Sequence, residues 1–230
     1  MKKTTSSPPI LEEKSISAYG MQRRNMLKIF GASAALITIG SACSDDNTNN
    51  TTGVNLGSGD VGILNYAYAL EQLEAAFYTQ VMASPYTGMS VLEIEYLNDI
   101  KEHEIAHREF FKTALGSNAI QALEVNFSSI DFTSRTSVLN TAKAFEDLGV
   151  TAYNGAGKLI ADANYLLLAG KIVSVEARHA ALIADLISNG TFAATTDSNG
   201  LDGAKTPAEV LSIAGAYIKT PINASNLPTS

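Results

Sequence analysis

The sequence predicts an all-α fold: a four-helix bundle with a long crossover between its second and third helices and a short fifth helix near the C-terminus. Three observations predict it. First, four stretches place residues in steps of three and four, the stripe that a helix turns toward a bundle core. They are Leu64, Ala67, Glu71, Glu74, Tyr78, Val81; Leu97, Ile100, Glu104, His107, Phe111; Leu139, Ala142, Glu146, Gly149, Tyr153, Ala156, Ile160; and Tyr165, Ala169, Ile172, Glu176, His179, Ile183, Leu186. Second, carboxylates and imidazoles occupy stripe positions where Leu would be expected, and a buried charge is costly unless it is paired or binds metal. Third, residues 118–132 form a long connection between the second and third stripes, as parallel alignment of those two helices requires.

Each element has its own signals. The first helix covers about 61–83 and ends before Pro85 and Gly88. Ser90 and Glu93 form a capping box that opens the second, which runs to Leu115 before Gly116. The third starts near Thr133 or Ser134 and reaches about 162. It contains Gly149, Gly155 and Gly157, each costing about 1 kcal/mol against Ala, so they mark close packing or room beside the buried polar groups. The fourth spans about 163–189, stopped by Gly190, and 191–205 is a polar loop. Thr206 and Glu209 make a second capping box with Pro207 at the first helical position. This short helix runs to about 219 and packs through Val210, Ile213, Ala214 and Tyr217. The last residues read as a frayed tail.

The stripes carry the chemistry. Glu176 and His179 are three apart, on one helical face. Glu104 and His107 repeat the spacing, using two of the three histidines in the chain. Glu71 precedes Glu104 by 33 residues and Glu146 precedes Glu176 by 30, and a tyrosine follows each seven residues later, Tyr78 and Tyr153. Each half of a weak internal repeat thus offers one Glu helix and one Glu-x-x-His helix. Two such halves build a single di-metal carboxylate site in a bundle core. The expected ligands are Glu71, Glu104, His107, Glu146, Glu176 and His179. Four carboxylates balance two divalent ions, and oxygen donors with a minority of imidazole suit Fe or Mn. Tyr78 and Tyr153 are either core aromatics or hydrogen-bond partners that orient ligand carboxylates. Glu74, one turn from Glu71 on the stripe, is an extra ligand, a proton carrier or a bystander. His103 lies off the stripe and reads as a surface residue, as do Glu102, Glu109 and Asp147.

The segments LNYAYALEQLEAAFY, KEHEIAHREFF, FEDLGVTAY and VEARHAALI resemble the bacterial ferritin-like domains related to plant desiccation-related proteins. More distantly, AYALEQLEAAFY resembles the first bundle helix of rubrerythrins, with Glu71 on the ligand position. The resemblance covers about 61–189. It implies a ferritin-like bundle and redox chemistry on a small oxidant, O2 or peroxide, with Fe(II) as electron source. The alternative reading is a non-catalytic metal-binding or stress-protective surface protein, so enzyme status stays open. Rubrerythrins carry an extra carboxylate on the third bundle helix, where this chain has Gly149; here Glu74 supplies the spare carboxylate from the opposite helix. The rubredoxin-type CxxC pairs are absent, because the chain has one cysteine.

Residues 1–43 read as an export signal. Arg23 and Arg24 precede an apolar run from Ile29 to Ile39, too short for an ordinary membrane span, and the paired arginines resemble a twin-arginine signal. Small residues leading into Cys43 resemble a lipobox, which implies a lipid anchor in a bacterial membrane on the periplasmic or cell-surface side. Residues 44–60 are polar and read as a flexible tether, ahead of the bundle at 61–189 and the loop, helix and tail at 190–230. Six of the 16 Lys/Arg and two of the 23 Asp/Glu lie in residues 1–42, which leaves ten against 21 beyond them. Such an acidic body argues against nucleic-acid partners. The sequence leaves the oligomeric state open.

Overall fold

The computed structural model describes residues 53–229. Arg23, Arg24, Cys43 and most of the expected tether lie outside the described residues. Five helices follow one another: α1 (Gly59–Ala83), α2 (Val91–Leu115), α3 (Arg135–Gly157), α4 (Ala163–Ile187) and α5 (Pro207–Ala214), with a 3-10 turn at Gly116–Asn118. α1 packs on α2 and α3 on α4, and α1 also meets α3. Among the described residues, no helix is long and apolar enough to cross a membrane.

Both capping boxes form, Ser90 with Glu93 and Thr206 with Glu209. Arg135 fixes the helix directions. Its Nε donates to Glu93 at the start of α2 (2.6 Å), and its Nη2 donates to the Leu186 carbonyl at the end of α4 (2.8 Å). α2 and α3 therefore begin at the same end of the bundle, and the crossover must travel its full length. Two buried polar residues of α1, seven apart, hold that crossover in place. Asn65 donates to the carbonyls of Leu56 and Asn118 and accepts from Ile120 N–H, all at 2.9–3.0 Å. Gln72 accepts from Leu123 N–H at 2.8 Å. These side chains satisfy backbone groups at buried and half-buried positions along the crossover and at Leu56. Phe77, fully buried, gathers Tyr78, Phe127, Phe132 and Phe145 around it at 5.1–6.0 Å, so the crossover is also pinned by aromatic packing.

Four boundaries differ from the sequence expectation. α3 ends at Gly157 rather than near 162, because Asp60 accepts from Ala161 and Asp162 N–H (both 2.8 Å) and Asp162 then caps α4. α5 ends at Ala214 rather than 219: Tyr217 and Lys219 leave the helix to bond with Asn126 and Glu124 of the crossover. Within α5, Val210 and Ala214 are buried but Ile213 is 46 % exposed and does not pack inward. Finally, residues 53–60 are ordered rather than tether, and the tail is not frayed. Strands β1 (Val54–Asn55) and β2 (Ile222–Asn223) pair in parallel, and Leu227 is buried beside Gly62, where a Cβ would come within 2.8 Å of it.

Candidate metal centre

The four stripes converge at mid-bundle. Glu71, Glu104, Glu146 and Glu176 are each 0 % exposed, His179 is buried and His107 half-buried. They form two groups of four, each able to hold a metal ion: Glu71, Glu104, His107 and Glu176, and Glu104, Glu146, Glu176 and His179. Glu104 and Glu176 belong to both. Glu176 sets one oxygen 2.9 Å from His107 Nδ1 and the other 3.3 Å from His179 Nδ1. Glu104 does the same at 3.7 and 2.8 Å. Glu71 serves only the first group, 3.4 Å from His107, and Glu146 only the second, 3.4 Å from His179. The helix pairs thus supply one terminal and one shared carboxylate each, as the internal repeat requires.

The donor set fits metal on an observation of its own. Glu71 Oε2, Glu146 Oε2, both oxygens of Glu104 and Glu176, and Nδ1 of both histidines are buried without a hydrogen-bond partner. Buried polar atoms are rarely left so. Their separations of 2.8–3.7 Å match the ligand edges around a small cation, since bonds of about 2.1 Å give octahedral edges of about 3 Å.

Electrostatics agree. Burial, together with the charge of Glu176, pushes Glu104 up to about 8. Burial pushes Glu146 up to about 7 against the pull of His179. Burial also acts upward on Glu176, but His107 and His179 outweigh it and hold it down at about 2. His179 is pushed up to about 12, because Glu104, Glu146 and Glu176 overcome its burial, and His107 rises for the same kind of reason. Without a cation the cluster must hold protons instead, and a metal ion would displace them.

Around this cluster the tyrosines cross over. Tyr78 of α1 donates to Glu146 Oε1, and Tyr153 of α3 donates to Glu71 Oε1. Each hydroxyl holds the outer oxygen of a terminal carboxylate and leaves the inner one facing the centre. Glu74 lies outside both groups of four but is only 4 % exposed. Its carboxyl fills the space over Gly149, where a Cβ would sit 3.3 Å from Oε1 and 4.0 Å from Glu176 Cγ. Burial pushes Glu74 well up, and the charges of Glu104, Glu176, Glu146 and Glu71 add to it. Gly155 has a separate reason: the Lys205 backbone passes where its Cβ would be.

His103 is exposed, as expected of an off-stripe residue, yet its Nδ1 lies 3.0 Å from Nε2 of His179. The stripe pattern missed this contact. The available signal was its spacing, one helical turn before His107 on the flank toward α4. Glu102 and Glu109 are exposed, and Asp147 pairs with Lys143.

A cavity of about 30 Å³ lies one turn from the Glu71 and His107 side. Its inner wall is Ala67, Leu70, Phe111 and the ring of Tyr153, all buried, and its outer wall includes half-buried Tyr165 and Leu168.

The family model of the ferritin-like domain matches residues 59–189, more than half of the chain and the whole of the four-helix segment. A search of curated proteins finds no match. The bundle, the parallel α2 and α3 and the paired carboxylate–imidazole groups agree with that match, and the chain belongs to the ferritin-like domain family.

Proposed function

We propose that this protein is an exported di-metal carboxylate oxidoreductase. It binds two Fe or Mn ions through Glu71, Glu104, His107, Glu146, Glu176 and His179, with Glu104 and Glu176 shared between them. The observation that carries this reading is the set of eight buried donor atoms on those six residues that have no hydrogen-bond partner and lie together in two ligand groups. When bound, the ions supply one-electron redox chemistry and an open coordination position for a small oxidant.

The chain's own residues do the rest. The terminal carboxylates are aimed by Tyr78 and Tyr153. Glu74 is a reserve carboxylate: it is buried, lies over Gly149 beside Glu176, and would be available to the ions without being one of their six ligands. Four carboxylates already balance two divalent ions, so its charge becomes useful when the metals are oxidised. The apolar cavity beside Tyr153 favours O2 over peroxide, since its interior offers almost nothing for a polar oxidant to hydrogen-bond. Two external Fe(II) ions would each give one electron, and O2 with two protons would leave as hydrogen peroxide.

The sequence of residues 1–43 supports export by a twin-arginine route and anchoring through Cys43, and on that reading the reaction would run at a bacterial membrane surface. The test of function is steady turnover. Metal-loaded protein should oxidise many equivalents of Fe(II) under air. A single stoichiometric oxidation would assign it instead to the non-catalytic metal-binding proteins, whose ions serve folding alone.

A further inference from the structure

The third histidine does not belong to the six clustered residues, and the inference drawn from it rests on the metal-binding reading above. His103 stands on α2, exposed, with Nδ1 3.0 Å from His179 Nε2. The two ring planes differ by only 11° and their centroids are 5.2 Å apart. The centroid distance exceeds the nitrogen–nitrogen distance by about the reach of both rings. The imidazoles therefore meet edge to edge in nearly one plane, the geometry of an N–H···N bond rather than of face stacking.

We propose that His103 is a positioning residue for His179, and that it makes the ion position on the His179 side the tighter of the two. A neutral imidazole carries one N–H and one lone pair. His179 Nδ1 faces Glu104, Glu146 and Glu176 at 2.8–3.4 Å, so Nδ1 must present the lone pair to an ion. The proton then sits on Nε2 and is donated to His103 Nδ1. This bond selects the binding tautomer and stops the ring from turning about its last torsion, as outer partners of metal-bound histidines do.

The other half of the repeat lacks the device. One turn before His179, where a counterpart of His103 would stand for His107, the chain has Val175. Val cannot hold an imidazole N–H. The His107 side chain is also the more open, 13 % exposed against 5 % for His179. Both ion positions would share Glu104 and Glu176, and each would have one tyrosine-held terminal carboxylate, so among the six ligands the difference falls on the imidazoles.

Anaerobic Mn(II) titration of the full chain, followed by calorimetry and electron paramagnetic resonance, tests this. Wild-type protein should take up two ions in two resolved steps. His103→Ala should weaken the tighter step by about 10- to 100-fold and leave the weaker step alone. His103→Gln, which restores an acceptor oxygen, should recover part of the loss. The metal-free melting temperature should fall only slightly, because His103 is itself exposed and the variant loses the hydrogen bond to His179. Unchanged steps in His103→Ala would overturn the proposal, as would equal weakening of both steps or a single affinity in wild type. Wild-type protein that takes up no Mn(II) would remove the metal reading itself, a separate failure from the loss of inequality between two bound ions.

Discussion

Tyr78 on α1 donates to Glu146 on α3, while the residue seven positions after Glu146, Tyr153, donates back to Glu71, seven positions before Tyr78. The two bonds exchange partners across the bundle axis. Each helix therefore orients the terminal carboxylate of the other. Tyr78→Phe should weaken the ion position built on Glu146 and His179, and Tyr153→Phe the one built on Glu71 and His107. Each loss should be about 10- to 100-fold in affinity. Metal titration with the two variants side by side checks the assignment; the opposite pairing, or an equal effect on both positions, would contradict it.

Glu74 and Glu71 stand one turn apart on α1 but differ in role. Glu71→Gln removes a buried anion from one group of four and should lower metal occupancy. Glu74→Gln keeps the shape over Gly149, should leave occupancy near two, and should slow oxidation of the reduced centre. Elemental analysis, and mixing of the anaerobically reduced protein with O2, separate these outcomes. Equal loss of metal in both variants would make Glu74 an ordinary ligand, and no change in either property would make it a bystander.

The cavity gives a prediction about the oxidant. Ala67→Leu fills apolar space one turn from Glu71. It should slow oxidation by O2 while leaving the rate with hydrogen peroxide and the metal content unchanged. Overpacking costs typically about 1–3 kcal/mol, so the variant's melting curve belongs with the rates. If both oxidants slow together, the cavity does not select for O2.

Asn65 joins three segments that the sequence leaves unconnected. Asn65→Ala would strand the carbonyls of Leu56 and Asn118 and the N–H of Ile120. Buried unpaired groups cost about 1–3 kcal/mol each, so metal-free protein should lose about 2–4 kcal/mol after partial relaxation. Urea unfolding measures it, and a loss below about 0.5 kcal/mol would mean that the crossover is held elsewhere.

The contrast between Glu104 and Asn65 explains what was legible in the sequence. Glu104 sits on a stripe of period three and four, its spacing to His107 recurs at Glu176 and His179, and helix geometry alone converts that spacing into a shared face. The bundle and the converging carboxylates follow from local rules applied four times. Asn65 bonds to segments 9 and 53–55 residues away, and no local pattern marks such partners. The same holds for the pairing of Val54 with Ile222, which ordered residues expected as tether and tail. His103 fell between the cases: its turn-spacing to His107 was visible, but its partner on α4 depended on how α2 and α4 approach. The choice of Tyr78 for Glu146, rather than for its own helix partner Glu71, likewise needed the packed bundle.

Metal content decides whether these six residues hold two transition-metal ions. Protein purified from its native host, or reconstituted anaerobically with Fe(II) or Mn(II), should carry about two ions per chain by elemental analysis. Alanine or glutamine at the shared Glu104 or Glu176 should reduce both positions together. A well-folded, fully reconstituted sample that reproducibly holds no metal would contradict the account.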